Sequence, residues 1–323
     1  MTAQSNADTL ITIFGGSGFL GRHVVRALAK RDYRIRVAVR RPDLAGHLQP
    51  LGRVGQIHAV QANVRHRPSV AAAVRGSDVV INLVGILFES GRQRFETVQG
   101  FGAESVALAA AAENAQVIHV SAIGADEHSP SVYARSKAEG ERLVLAATPE
   151  ATIFRPSIVF GPNDDFFNRF AALARLSPAL PLVGGGATRF QPVYAGDVAE
   201  AMAKAVAGET KPGTIYELGG PQVMSFKELM QYVLATIERG RLLVPTPFWV
   251  ARFQAFFFEF MPNPLLTRDQ VELLRSDNVV SDAARAEGRT LEGLGIVPRS
   301  VEAIVPSYLW RFRKTGQFRG HVA

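Results

Sequence analysis

The sequence predicts an α/β fold in which a doubly wound parallel sheet is followed by a smaller mixed C-terminal lobe. Three observations predict it. Short apolar, β-branched runs alternate with helix-period segments from Leu10 to Phe160, as in parallel sheets with crossover helices. A glycine-rich turn joins the first run to the first helical segment. Gly161 and Pro162 end the last of these runs, and the segments beyond them are assigned to the lobe.

The composition is that of an ordinary globular protein, and it excludes several kinds of site. The 323 residues are 47% hydrophobic and 20% charged, which suffices for a large core and a smaller lobe. Because the chain has no cysteine, disulfides, thiolate metal sites and cysteine nucleophiles are excluded. Its seven histidines are scattered without ligand spacing, so we expect no metal. A net charge of +7 without basic runs suits anionic cofactors or acidic membrane surfaces and argues against nucleic-acid binding.

The glycine-rich turn is the strongest functional signal. Glycines stand at intervals of three between the apolar run Leu10–Phe14 and a helical segment. Glycine permits the backbone angles of the turn and a close approach to a diphosphate, and the helix starts with free N–H groups and a partial positive charge. A Rossmann-type nucleotide site is therefore predicted, and its cofactor contacts are Gly15, Ser17, Gly18, Phe19, Leu20 and Gly21. This spacing resembles that of the short-chain dehydrogenase/reductase superfamily, particularly its extended and atypical branches.

The second strand, predicted over Tyr33–Arg40, suggests which dinucleotide binds. NAD-binding units usually end this strand with an acidic residue that accepts from the ribose 2′-hydroxyl. Here Arg40 and Arg41 stand in its place, and a guanidinium pair would hold a 2′-phosphate through charge-assisted hydrogen bonds. The sequence therefore predicts NADPH or NADP in preference to NAD or NADH. The alternative is that both arginines are solvated surface residues.

Two later strand ends resemble further cofactor contacts of the superfamily. Asn63 and Val64 follow the third strand, where related proteins carry an acidic residue that contacts adenine, and an Asn side chain can make a comparable hydrogen bond. The fourth strand ends in Leu83, Val84 and Gly85, which resemble the loop beneath the adenine ribose. A buried parallel strand alone would explain the apolar residues there.

A serine, a tyrosine and a lysine resemble the catalytic residues of the superfamily. Tyr133 and Lys137 lie four apart in the predicted helix 131–147 and therefore share one helical face. The resemblance implies that Lys137 lowers the tyrosine pKa and holds the nicotinamide ribose, while the phenol exchanges a proton with the substrate. Ser121, at the end of the fifth strand, is the candidate for polarising a substrate carbonyl. Residues 122–124 offer no second hydroxyl if the register slips, so the pair could also bind cofactor without turnover.

The sixth strand carries an element that sets the domain boundary. Phe154 to Pro162 matches the R-P-x-x-V-[YF]-G-P element of the extended branch, which marks where the chain leaves the nucleotide sheet, and Pro156 within it is a predicted cofactor contact. We therefore expect a dinucleotide-binding domain over 1–162, with segments returning near 187–220, and a smaller lobe over 163–323. Within this region the sequence predicts a loop over 180–186, Asp197 as a helix N-cap and capping boxes at Ser225 and Thr267. Before the fifth strand it predicts one long alanine-rich helix over 95–114.

An aromatic segment dominates the C-terminal third. Residues 245–261 are almost entirely apolar but too short for a membrane span, and Arg252 and Glu259 interrupt them seven residues apart. Such a helix could line a lipophilic pocket, rest in a membrane interface, dock on another subunit or be buried in the core. The basic tail with Arg311, Arg313, Lys314 and Arg319 is either solvated or attracted to anionic headgroups.

The pattern as a whole resembles the dinucleotide-binding accessory subunit family of respiratory complex I (NADH:ubiquinone oxidoreductase). The segments that carry the resemblance are Phe14–Arg22, Asn82–Ile86, Phe190–Tyr194, Leu265–Leu274 and Leu294–Ile296. The family implies a structurally held NADPH, association with complex I subunits or the inner membrane and, in related branches, a part in ubiquinone biosynthesis. We therefore expect a protein of the cytoplasm, peripheral on the inner face of the inner membrane, since residues 1–9 lack the features of a signal peptide.

Three functions remain open from the sequence. The first is a cofactor-dependent binding or assembly protein that docks on a membrane complex. The second is an NADP(H)-dependent reductase or dehydrogenase acting on a lipophilic carbonyl or quinone-like substrate. A nucleotide-sugar epimerase or dehydratase is the weaker third, because the apolar lobe is a poor match to a doubly charged sugar nucleotide.

Overall fold

The computed structural model describes residues 6–262, 264–314 and 316. The strands alternate with helices through the first half of the chain and become short in the second. In chain order they are β1 (Leu10–Phe14), β2 (Arg34–Val39), β3 (Ile57–Gln61), β4 (Val79–Asn82), β5 (Gln116–Val120), β6 (Thr152–Pro156), β7 (Val159–Phe160), β8 (Ala179–Val183), β9 (Arg189–Phe190), β10 (Val193–Tyr194), β11 (Ile215–Leu218), β12 (Met224–Ser225) and β13 (Leu242–Thr246).

The α-helices follow the strands in the first half of the chain and become shorter towards the C-terminus. In chain order they are α1 (Phe19–Ala29), α2 (Arg67–Val74), α3 (Phe101–Ala112), α4 (Val132–Ala147), α5 (Phe167–Leu176), α6 (Ala195–Val206), α7 (Phe226–Thr236), α8 (Phe248–Phe258), α9 (Arg268–Leu273), α10 (Asp282–Ala286), α11 (Val301–Ile304) and α12 (Pro306–Leu309).

Seven strands form one parallel sheet in the order β11-β6-β5-β4-β1-β2-β3. Helices α1 and α6 pack together in one layer, and α2, α3 and α4 pack together in another. The strand order reverses between β1 and β4, which is the point where doubly wound sheets open a ligand crevice. The predicted α/β fold is therefore confirmed. All four residues of β4 are buried, as expected for a strand covered on both faces.

The chain divides into two compact units, described here one at a time. The first unit comprises residues 6–156, 195–218 and 281–297. The sequence placed the boundary at 162, whereas the chain leaves this unit after Pro156, and segment 281–297 returns to it. The reason for the return is that β11 is an edge strand: Glu217 N–H donates to the Arg289 carbonyl (2.9 Å), and the Arg289 guanidinium donates to the Ile215 carbonyl (2.6 Å). Segment 281–297 thus covers the open edge of the sheet.

The second unit comprises residues 157–194, 219–280 and those from 298 onward. It holds three two-stranded pairs, β10 with β7, β12 with β9 and β13 with β8. Its core is a cluster rich in aromatic rings, which includes Phe160, Phe167, Phe190 and Phe226. Buried Tyr308 donates to buried Asp164 at 2.5 Å, which fastens the C-terminal helix α12 to the loop before α5.

Three local expectations differ from the structure. Residues 180–186, predicted as a loop, contain most of β8, because β13 supplies a parallel partner from residues 242–246 that local sequence does not reveal. Asp197 is not an N-cap: helix α6 begins two residues earlier, and Asp197 is buried in its first turn. The long helix predicted over 95–114 is divided, since a π-helical turn over Glu96–Gly100 precedes α3. The capping boxes at Ser225 and Thr267 are confirmed.

Helix α8 presents most of its aromatic residues outward, while Phe248 packs on the cluster beneath the helix. Its buried residues are Ala251 and Ala255, which pack in a small cluster with Val271 of α9. Trp249 is 74% exposed, Phe253 64% and, just beyond the helix, Phe260 76%. Burial in the core, one of the four readings of this segment, is therefore wrong for these rings: the alanines are small enough to seat the helix on its neighbours, and the bulky rings are left outside.

Candidate cofactor site

The glycine turn after β1 has the shape that the sequence predicted. Gly15 has a φ of +79°, in the left-handed region that favours glycine. Gly18 N–H donates to the Gly15 carbonyl (3.0 Å) and closes the turn. A Cβ added to Gly21 would lie 2.4 Å from the Gly15 oxygen, so a side chain there would push the helix off the turn. The three glycines therefore let α1 begin directly against the end of β1.

The first turn of α1 is open to an anion. Gly18 is its N-cap, and within the described chain no side chain hydrogen-bonds to its first amides. The sequence Phe19-Leu20-Gly21-Arg22 also places no acidic residue there. Arg22 Nε is buried and, among the described residues, has no hydrogen-bond partner. Free amides, the helix dipole and a guanidinium Nε without a partner among the described residues fit a diphosphate at this turn. The predicted contacts Ser17, Phe19 and Leu20 are half-buried around it.

The two arginines after β2 differ in what they bind. Arg40 Nη1 donates to Gln93 Oε1 (3.2 Å), a neutral acceptor, and no carboxylate of the described residues pairs with it. Arg41 donates two hydrogen bonds to the Asp43 carboxylate, from Nε to Oδ1 (3.0 Å) and from Nη2 to Oδ2 (2.7 Å). These hydrogen bonds raise the pKa of Arg41 and lower the pKa of Asp43. Of the two, Arg40 keeps its positive charge available to a ligand.

The residues after β3 are partly committed to their own turn. Asn63 Oδ1 accepts from Arg65 N–H (3.1 Å), and Asn63 N–H donates to Ser69 Oγ (3.1 Å). The side-chain amide nitrogen of Asn63, Nδ2, is left as a hydrogen-bond donor. Val64 is buried in the core of the first unit, so its side chain packs inward and a contact with a cofactor would come from its backbone.

The loop after β4 is shaped by a buried polar pair. Asn82 Oδ1 accepts from Val84 N–H (3.1 Å), and Leu83 N–H donates to the Phe14 carbonyl (3.0 Å). Asn82 Nδ2 lies 3.3 Å from His119 Nδ1; an amide nitrogen can only donate, so this imidazole nitrogen accepts. Burial, with Lys137 as the second cause, lowers the pKa of His119 to about 3. His119 is therefore a neutral support for the loop that carries Leu83, Val84 and Gly85.

Helix α4 places Tyr133 and Lys137 side by side. Ser131 caps the helix by accepting from Ala134 N–H (3.2 Å). Lys137 Nζ lies 6.0 Å from the Tyr133 ring centroid and donates to the Val120 carbonyl at the end of β5 (3.2 Å). A Cβ on Gly85 would come within 3.2 Å of this ammonium. The lysine thus joins three of the predicted elements: the loop after β4, the end of β5 and the tyrosine.

The electrostatics of Lys137 suit a group that both binds and tunes its neighbour. Its side chain is buried, and burial lowers the pKa of Lys137 to about 8, opposed by the Glu141 carboxylate. At neutral pH the ammonium is still charged, so it can hold ribose hydroxyls and favour the ionised form of a nearby phenol. Glu141 is itself held by Arg155 through two bonds of 2.8 and 2.6 Å.

Ser121, the third predicted catalytic residue, is buried like Lys137, but its hydroxyl is not hydrogen-bonded within the described residues. It is 3% exposed, and its Oγ is buried without a hydrogen-bond partner among the described residues. Its backbone N–H donates to the Phe154 carbonyl (2.8 Å), and buried Pro156 accepts from Ile123 N–H (3.1 Å). Both residues therefore stand at carboxyl ends of adjacent strands, as predicted, with the serine hydroxyl shielded from solvent.

The predicted residues share one edge of the sheet, because β1 to β6 are parallel and each contributes its carboxyl end or the loop after it. His119, Arg22 and Gln93 were not among the predicted contacts. The signal for His119 was weak, since a histidine inside a buried strand is most often structural. Gln93 meets Arg40 across 53 positions of sequence, so no local pattern could have paired them.

Two kinds of feature are absent from the described residues. No three His, Asp or Glu side chains in those parts of the chain come together as a metal-binding group. None of the described helices combines the length and the hydropathy needed to span a bilayer.

Comparison with known proteins places this geometry in a family. The model of the "NAD dependent epimerase/dehydratase family" matches residues 11–219, a stretch that runs from β1 through the glycine turn, Tyr133 and Lys137 to just beyond β11. The complex I accessory subunit resemblance also has a counterpart. NADH dehydrogenase (ubiquinone) 1 alpha subcomplex subunit 9, mitochondrial, from Arabidopsis thaliana is 36% identical over 326 residues, which cover 97% of this chain and 80% of that protein.

Two further relatives differ in kind. A ceramide reductase from Caulobacter vibrioides is 37% identical over 179 residues, 55% of each chain. The structure of the dTDP-glucose 4,6-dehydratase DesIV from Streptomyces venezuelae, solved with NAD and TYD bound, matches with a TM-score of 0.70 at 20% identity and covers 94% of this chain and 96% of its own. The last likeness is one of fold. Given the family model's match and a relative aligned over nearly the full length, the chain belongs to the NAD dependent epimerase/dehydratase family.

Proposed function

We propose that this protein is an NADP(H)-binding, complex I-associated protein in which the dinucleotide has a structural role. The observation that carries the proposal is the similarity to a complex I subunit over 97% of the chain, combined with a nucleotide crevice whose turn and helix end fit a diphosphate. The shielded hydroxyl of Ser121 supports the structural role, since a substrate carbonyl has to reach the group that polarises it.

The preference for NADP(H) rests on Arg40. A dinucleotide lying across the sheet with its diphosphate at the glycine turn places the adenosine ribose at the carboxyl end of β2. Arg40 follows that strand directly, and its charge is not neutralised by a carboxylate of the described residues. A guanidinium there would bind a 2′-phosphate through charge-assisted hydrogen bonds. Arg41 contributes less, because Asp43 already holds it. NAD remains the alternative, and Asp43 is the acidic residue it would use.

The chain's own residues would share the work of holding the cofactor. The amides of the first turn of α1 bind the diphosphate, Arg40 binds the 2′-phosphate, and Lys137 and Tyr133 orient the nicotinamide ribose. When bound, the nicotinamide supplies a hydride donor or acceptor. In a structural role these same contacts tie the ends of β1, β2, β4 and β5 together, so the dinucleotide stabilises the fold by mass action.

The experiment is to identify and titrate the cofactor. Mass spectrometry of the small molecule released from freshly purified protein should detect NADP(H). Arg40→Ala should weaken NADPH binding about 10- to 100-fold, the loss of a charge-assisted bond, and should change NADH binding little. Arg34→Ala is the matched control, because Arg34 is exposed at the opposite end of the same strand. Equal NADPH affinity of the Arg40 and Arg34 variants would exclude this assignment.

Association with complex I and the membrane is the second part of the proposal. The exposed rings of residues 245–261, with Arg252 among them, form the kind of aromatic and cationic face that rests at an anionic bilayer surface. Of the basic tail, Arg311, Arg313 and Lys314 are described and Arg319 lies outside the described residues. We expect the protein in the cytoplasm, peripheral on the inner face of the inner membrane.

Fractionation and deletion test this part. The protein should sediment with membranes and with native complex I, and vesicles containing anionic lipid should bind it more tightly than neutral ones. Trp249→Ser with Phe253→Ser should release it, while Leu176→Ser, which also removes an exposed apolar side chain, should not. Two results together would contradict the association. Purified native complex I would lack this chain, and deletion of the gene for this chain would leave complex I assembly and quinone levels unchanged.

An active reductase is the second candidate. It is favoured by the Tyr133 and Lys137 pair with its lowered lysine pKa and by the similarity to a protein named ceramide reductase, which suggests a lipophilic carbonyl; a quinone-like substrate is the other class. In that case Tyr133→Phe should abolish turnover and leave NADPH bound. Full complementation of a deletion strain by Tyr133→Phe would remove this candidate. An epimerase or dehydratase acting on a sugar nucleotide stays the weaker third.

A further inference from the structure

The segment between β4 and the π-helical turn folds into a defined hairpin over residues 89–94. Ser90 and Gln93 exchange two backbone hydrogen bonds, of 3.1 and 2.9 Å, across Gly91, which has a φ of +55°. Glu89 fixes the base of the hairpin: its carboxylate accepts from Phe95 N–H (2.8 Å) and pairs with Arg94 (3.0 Å). The segment therefore has one shape held by its own bonds.

The tip of this hairpin reaches residues that follow two distant strands. Arg65, beyond β3, donates from Nη1 to the Arg92 carbonyl (2.9 Å), and Arg40, at the end of β2, donates to the Gln93 side chain (3.2 Å). In the sheet, β4 is followed by β1, β2 and β3. Neighbouring strands lie about 4.8 Å apart, so the segment crosses roughly 14 Å and passes the end of β1 on the way. The end of β1 is the glycine turn.

Resting on the function proposed above, we propose that residues 89–94 form a strap over the diphosphate and adenosine phosphate of the bound dinucleotide. Gln93 is the specificity-determining residue within the strap. Its amide oxygen orients the Arg40 guanidinium, and because the amide is neutral it leaves the charge of that guanidinium free for a 2′-phosphate. Arg41, the residue after Arg40, shows the effect of a carboxylate partner: Asp43 orients the Arg41 guanidinium but also neutralises its charge.

The second anchor serves retention. Arg65 binds the strap through a backbone carbonyl, so it holds the strap closed whichever dinucleotide lies beneath. Exposed Arg92 at the tip adds a further cation above the phosphates. A dinucleotide under such a strap leaves only after the Arg65 and Arg40 bonds break, which suits a cofactor that stays in place as part of the structure.

The test separates specificity from retention with two substitutions. Gln93→Glu keeps the shape and the bond to Arg40 but neutralises it, so the ratio of NADPH to NADH affinity should fall about tenfold or more. Gln231→Glu, at an exposed position of α7, is the control for added negative charge. Arg65→Ala should speed release of both NADPH and NADH about tenfold, measured by stopped-flow fluorescence, with Arg34→Ala as its control. Thermal melts without nucleotide verify that each variant is folded.

The outcomes distinguish this inference from the proposed function. If the wild-type protein binds neither dinucleotide, both the proposed function and the strap are overturned. If the wild-type protein binds NADPH and Arg40→Ala weakens it, while Gln93→Glu leaves the affinity ratio unchanged and Arg65→Ala leaves the release rate unchanged, the strap alone is overturned.

Discussion

Each of the two units is stabilised internally in a different way. In the first unit, backbones approach each other where side chains are missing: an added Cβ on Gly21 or on Gly140 would lie 2.4 Å from a backbone oxygen. In the second unit, helices and short strands contribute to a cluster of aromatic rings whose neighbouring centroids, in pairs such as Phe166 with Phe170, are as close as 5.1 Å. A close approach of this kind also occurs in the second unit, at Gly220, but the core of that unit is filled mainly by the volume of its aromatic side chains.

This difference sets opposite sensitivities. The first unit should tolerate loss of side-chain volume at its surface but resist additions at Gly21 and Gly140, because the atoms in the way there are backbone. The second unit should tolerate surface changes on α8 but resist truncation in its ring cluster. Three substitutions test the contrast, beginning with the largest expected effect.

Phe167→Ala should lower the free energy of unfolding by about 3–5 kcal/mol, the cost of removing a fully buried ring and leaving a cavity. Its side chain is 0% exposed. The same truncation on the outer face of α8, Phe253→Ala, should change stability by no more than about 0.5 kcal/mol. Urea denaturation of both variants measures the difference, and equal destabilisation would show that α8 is part of the folded core.

Gly21→Ala should lower the free energy of unfolding by about 1–3 kcal/mol, since the new methyl overlaps the carbonyls of Gly15 and Gly16 and the helix has to move. Nucleotide binding should weaken with it, because the amides of α1 shift. Gly46→Ala is the control: a Cβ there meets nothing within 4 Å. If the two variants unfold at the same urea concentration, close packing at the turn is not what the glycine provides.

Tyr308→Phe should cost about 1 kcal/mol at neutral pH, the usual net worth of one hydrogen bond, and less at acidic pH. Burial raises the pKa of Asp164 above its ordinary 3.8, and the bond from Tyr308 works against that rise. A carboxyl whose pKa is higher in the folded than in the unfolded protein stabilises the fold, and this stabilisation is complete below the unfolded-state pKa. It is lost as the pH rises through the folded-state pKa. Removing the phenol raises the pKa further, so the penalty should grow from pH 4 to pH 7. A loss of stability that does not depend on pH would show that the Tyr308 hydroxyl does not affect the pKa of Asp164.

The sequence could predict the first unit in detail because its determinants are local. Most of its strands are short apolar runs that contain β-branched residues, and the glycines at 15, 18 and 21 stand between such a run and a helical segment, which predicts a nucleotide-binding turn. The polar ends of parallel strands meet at one sheet edge by topology alone, which is why the predicted cofactor residues lie together. What the pattern could not supply is which arginine is free, since that depends on Asp43 and on Gln93, far along the chain.

The second unit was harder because its partners are distant in sequence. The segment 180–186 reads as a loop until β13, some 60 residues later, completes a pair with it. The periodicity of residues 245–261 indicated a helix correctly, yet aromatic residues fit a core as well as a surface. The small side chains of Ala251 and Ala255 decide which face is buried, and a hydrophobicity pattern gives alanines little weight.

The cover over β11 has a consequence for any shortened form of the chain. Without segment 281–297 the outermost strand would present unpaired amides and carbonyls along its free side, which is a template for foreign strands. A protein that lacks only segment 281–297 is therefore expected to self-associate even with its seven-stranded sheet intact. The C-terminal segment acts as a built-in guard against aggregation, and proteolysis between 281 and 289 would remove it.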